Sequence, residues 1–203
     1  MKTFIFLVTF FFVLIAYALE QNKAWDAIAP IIAFFLAILV LKFFKFEIVE
    51  EPSIQMNWVK TAILLGILSA GLKLFLILVV FEYQIEASHI NLEKLLHRIF
   101  MFMIFMPLLE EFIFRGILFD DLKKKLGITL TIFITSIIFI GLHLHKFADD
   151  EVLGHVFAMI PGVFIYNYLK VKTNNFIPSF LAHATHNTIT YSFVTLSFRT
   201  INY

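Results

Sequence analysis

The chain contains no cysteine, which removes disulfides, thiolate metal sites and a cysteine nucleophile from consideration. Charge is scarce as well, at 15% Asp, Glu, Lys and Arg against about 25% in an ordinary soluble domain. The formal net charge is only +1, and no basic face or Lys/Arg-rich tail exists to neutralise a phosphate backbone, so no nucleic-acid partner is expected. Two catalytic signatures are absent too. No His-Glu-x-x-His run occurs, which excludes the common zinc-protease helix. The scattered serines, such as Ser136, Ser179 and Ser192, lie in no Gly-x-Ser-x-Gly elbow. There is neither an internal repeat nor a low-complexity linker.

Apolar side chains fill the space that charge leaves. The 203 residues are 61% hydrophobic with 27 phenylalanines, and the mean hydropathy is +0.90. A chain of this kind has room for about seven or eight spans of roughly 20 residues. The expected fold is therefore all-α, a polytopic transmembrane helical bundle with short loops, forming a single membrane domain over residues 1–203 in contact with membrane lipid. The expected spans are Met1–Leu19, Ala27–Phe44, Thr61–Phe81, Ile99–Lys125, Ile128–Leu144, Val152–Leu169 and Phe176–Phe198. The first resembles a signal peptide, but the many spans that follow favour an uncleaved helix. Lys45–Lys60 reads as an interfacial segment, Lys73 as a snorkelling or paired side chain, and Pro161-Gly162 as a bend. The distribution of lysines predicts a cytoplasmic N-terminus.

One stretch breaks the apolar pattern. Pro107-Leu-Leu-Glu-Glu-Phe-Ile-Phe-Arg-Gly116 puts Glu110, Glu111 and Arg115 inside a span, where each charge costs roughly 2.5–3.5 kcal/mol at the centre of an inserted helix. They must find partners, water or a chemical task. Glu111 and Arg115, four residues apart, share a helix face and are expected to pair, while Glu110 projects about 100° away toward a cavity. Pro107 is expected to kink or break the helix just before the carboxylates.

A helical hairpin turning at Gly127 would set these carboxylates level with His143, each roughly 16 residues from the turn. On the last span His183 and Asn187 are again four apart, with His186 beside them. A glutamate next to a histidine can hold and deprotonate water, and a second histidine with an asparagine can donate to an oxyanion. Glu110, His143 and His183 could instead bind a divalent metal such as zinc with an open water position. His145 is expected at the interface.

Glu110-Glu111-x-x-x-Arg115, Phe139-x-x-x-His143 and His183-x-x-x-Asn187, in this order on successive apolar helices, resemble the three motifs of the CPBP (Abi) family of intramembrane proteases. That family includes the type II CAAX prenyl endopeptidases and bacterial proteins of bacteriocin processing or self-immunity. The resemblance covers about Met103 to Thr190 and implies an endopeptidase acting on a hydrophobic or lipid-anchored peptide. In it Glu110 and His143 would activate water, His183 and Asn187 would stabilise the oxyanion, and Glu111 and Arg115 would support the site. A bacterial cell membrane is the expected location, on the ground of short length and minimal loops. The alternative is a non-catalytic bacteriocin-immunity or peptide-binding membrane protein; a transporter would be expected to show paired broken helices in related halves, which the sequence does not.

Overall fold

The computed structural model describes residues 54–81, 99–144 and 152–197. The expected spans at Met1–Leu19 and Ala27–Phe44, most of the Lys45–Lys60 segment, and His145 lie outside these residues. The described residues are helical and contain no strand. Helix α1 (Met56–Phe75) continues into one π turn, Leu76–Val80. The motif-bearing helix starts as π-helix, Ile99–Phe105, tightens to α2 (Met106–Glu111), and widens again over Phe112–Leu118 before α3 (Phe119–Gly141). Helices α4 (Val152–Thr173) and α5 (Ile177–Ser197) complete the set.

Many large apolar side chains of the bundle face outward. Leu64, Val79, Phe133 and Leu153 are each at least 60% exposed, whereas Glu111, Arg115, Thr131, Thr135 and Ser179 are fully buried. Water would favour the reverse, so the surrounding solvent that suits this surface is hydrocarbon, in which polar groups must be satisfied internally. Met56–Val80 and Val152–Thr173 are each long and apolar enough to cross a membrane. They coincide with the third and sixth expected spans, although the first begins at Met56 rather than Thr61, so Lys60 belongs to the helix and not to the segment before it.

Small residues let the helices approach. Ala62, Gly66 and Ala70, spaced one helical turn apart, form the buried stripe of α1. A Cβ on Gly66 would come within 2.5 Å of the Ala182 carbonyl oxygen and 2.8 Å of the Thr185 Cβ on α5. Nothing there is the yielding end of a long side chain. Gly66→Ala is expected to destabilise the protein by about 1–3 kcal/mol, while Gly71→Ala, with nothing within 4 Å, is expected to be neutral or mildly stabilising. Thermal unfolding of the two variants in detergent checks this contrast.

Helices α3 and α4 are joined by side-chain hydrogen bonds instead. Asn167 Nδ2 donates to Ser136 Oγ at 3.0 Å, and Thr135 Oγ1 donates to Asn167 Oδ1 at 3.5 Å. Lys170, 1% exposed, is paired with Asp120 at 3.0 Å and ties the end of α4 to the start of α3. The reversal between α4 and α5 is chemically legible. Asn174 takes φ 51°, a left-handed conformation that asparagine tolerates, and Asn175 Oδ1 accepts the N–H of Ile177 at 2.8 Å.

The hairpin turns where the sequence predicts. Gly127 interrupts α3 with φ 76° and ψ 171°, a conformation open to glycine alone at little cost, and Thr131 Oγ1 donates to the Gly127 carbonyl at 2.7 Å. The rings of Phe114 and Phe139, almost equidistant from that glycine, then meet at 5.2 Å. Of the kink or break expected at Pro107, the break is absent; the chain stays helical from Phe105 through Phe112. Its preceding turns are widened to π-helix, which gives the proline ring room that an α turn would deny it. The helix also continues through Pro161.

Candidate active site

Three segments bring the chemical groups together: α2 with its π-helical extension carries Glu110, Glu111 and Arg115, the turn that follows α3 carries His143, and α5 carries His183 and Asn187. Glu111 and Arg115 pair as their spacing predicts. Their Oε1–Nη1 distance is 3.2 Å and both side chains are fully buried. The guanidinium also lies over the rings of Phe139, Tyr166 and Phe114, at 4.9, 5.6 and 5.8 Å from their centroids. Electron-rich ring faces thus take part of the place of water around a desolvated cation.

Glu110 faces both imidazoles. Its Oε1 stands 3.7 Å from His143 Nε2, and its Oε2 stands 3.8 Å from His183 Nε2. Both separations exceed direct hydrogen-bond length and lie within ion-pair range. The opposite nitrogens of the two rings are held. His143 Nδ1 lies 2.8 Å from the Phe139 carbonyl, which only accepts, so that nitrogen carries a proton and Nε2 is the atom turned to Glu110. His183 Nδ1 lies 2.9 Å from Glu111 Oε1, so the oxygen that accepts from Arg115 also orients the second histidine. Stacking fixes the ring planes: Phe139 on His143 at 4.7 Å, and Tyr166 on His183 at 4.7 Å and 17°.

His186 and Asn187 make hydrogen bonds to other elements. His186 faces α1, with Nδ1 2.6 Å from Ser69 Oγ. Asn187 Nδ2 donates to the Phe102 carbonyl at 2.9 Å. Sequence reasoning missed Tyr166 and Ser69 altogether. Tyr166 is 2% exposed, stacks on His183, and shares a side-chain hydrogen bond with Ser69. A buried tyrosine one helical turn after Gly162, within an otherwise apolar span, was the available signal.

His143 and His183 address different oxygens of Glu110 rather than one common point, and among the described residues no three His, Cys, Asp or Glu side chains are grouped as ligands would be.

The arrangement is that of a helical membrane protein with a carboxylate–imidazole centre buried between its helices. Residues 92–189, just under half of the chain, match the model of the type II CAAX prenyl endopeptidase Rce1-like family, a match that supports the CAAX protease family for this segment. That family is membrane-embedded, and its description is that of an endopeptidase. No curated protein and no solved structure matches the chain.

Proposed function

We propose that the chain is a multi-pass intramembrane endopeptidase that hydrolyses a peptide bond in a membrane-anchored or hydrophobic peptide. The observation that carries this reading is the approach of the His143 and His183 Nε2 atoms to the two oxygens of Glu110, at 3.7 and 3.8 Å, with both Nδ1 atoms already engaged. Glu110 accepts a proton from a water held against His143, and the hydroxide adds to the scissile carbonyl carbon. The resulting oxyanion takes hydrogen bonds from the protonated His183 Nε2 and from the Asn187 amide. Glu111, with Arg115, supports the positive charge on His183. As the C–N bond breaks, Glu110 returns the proton to the leaving amine, so water ends as the new carboxylate and amine termini.

Zinc or another divalent ion would require Glu110, His143 and His183 to draw toward one point, with the Nε2 atoms as donors. The chemistry it would supply is polarisation of the bound water. The proposed reaction needs only the groups already described. A bacterial cell membrane remains the proposed location.

The test is cleavage of a library of membrane-anchored peptides by the purified protein in liposomes, with mass spectrometry in H2(18)O. A defined cut that places one heavy oxygen in the new carboxyl terminus supports the proposal. Binding of peptides without any cut would favour the immunity or peptide-binding alternative.

A further inference from the structure

Asn187 donates to a carbonyl that Pro107 has left without its regular partner. Between Ile99 and Phe105 the helix is of the π type, in which a carbonyl accepts the N–H five residues on. For Phe102 that residue is Pro107, which has no N–H. The π pattern ends at Phe105 and α2 begins at Met106, as the loss of that bond requires. In a lipid-facing bundle such a carbonyl must be satisfied from elsewhere in the protein, and Asn187 Nδ2 reaches it at 2.9 Å from 85 residues along the chain. One turn further along α5, Tyr191 packs its ring against that of Phe102 at 5.7 Å, so the carbonyl and the amide are held face to face.

We propose that the Phe102 carbonyl, orphaned by Pro107, positions Asn187 for the reaction, and that Pro107 is thereby a positioning residue of the active site. An amide nitrogen carries two hydrogens. The bond to Phe102 uses one and fixes the amide plane, which fixes the direction of the other. The catalytic half of this inference rests on the oxyanion role given to Asn187 above; the anchoring half does not.

A double-mutant cycle separates the two. Pro107→Ala restores the missing N–H and removes the need for the anchor, so Asn187→Ala should lower Tm by a few degrees in the parent and by much less in the Pro107→Ala background. With Asn187 released, Pro107→Ala alone should lower kcat about tenfold with KM unchanged, while holding or raising Tm. Pro107→Leu should behave alike and guards against one variant that fails to fold. Equal Tm losses in both backgrounds, or full kcat in both proline variants while Asn187→Ala is slow, would overturn the inference. Coupled Tm values with no effect of Asn187→Ala on cleavage would establish the anchor, discard the positioning role, and count against the oxyanion reading instead.

Discussion

Glu110→Gln is expected to reduce kcat for peptide cleavage by about 10²- to 10⁴-fold, the range typical of removing a positioned general base. That corresponds to about 2.7–5.4 kcal/mol of barrier. The substitution keeps shape and volume, so the fold should survive: the hairpin register is set by Gly127 and by ring contacts such as Phe114 with Phe139, and none of these involves the Glu110 carboxylate. What changes is basicity. Glutamine cannot take the proton of a water lying between it and His143, and its amide would offer a donor where the carboxylate accepted. The measurement is steady-state cleavage beside thermal unfolding. Lost turnover with unchanged Tm is the expected combination, and KM should move little because the carboxylate acts on water rather than on the bound peptide.

Arg115→Met should act on stability first. The ion pair with Glu111 is fully buried, and removing one member of such a pair strands the other charge at a cost of about 3–5 kcal/mol. Among the described residues Arg115 Nε and Nη2 and Glu111 Oε2 have no hydrogen-bond partner, so this pair is not, within them, a fully satisfied network whose removal would forfeit many bonds. The double replacement Glu111→Leu with Arg115→Met is therefore expected to regain most of the stability lost in the single variant. Activity should not return with it. His183 Nδ1 loses the carboxylate oxygen at 2.9 Å that orients it and would support its charge, so kcat in the double variant should remain at least about tenfold down. A folded but slow double variant would separate what the pair does for the fold from what it does for the imidazole.

The parts of this site that sequence reveals are those set by simple helical periodicity. Glu111 and Arg115 are four apart and pair; Glu110 and His143 are nearly symmetric about Gly127 and face each other. Those arguments need only the rotation per residue and the position of a glycine turn. The rest depends on choices between helices. Whether His183 or His186 faces the carboxylates depends on how α5 is rotated, and that rotation is set by close approach at Gly66 and Ala182, which no single stretch encodes. The π-helical turns on either side of Met106–Glu111 alter the rotation per residue, so Pro107 reads from sequence as a kink and Asn187 as facing only the site. Tyr166 escapes notice because a tyrosine in an apolar span carries no motif, although its ring lies against His183.

The most direct test of the central claim, that Glu110 itself draws the proton from water, is peptide cleavage by chelator-dialysed protein whose residual metal is quantified by elemental analysis. The account predicts that metal-free protein still cuts and that Glu110→Gln in the same state does not. Cleavage that vanishes with the metal and returns on adding a stoichiometric divalent ion would contradict it, and would make Glu110, His143 and His183 ligands instead.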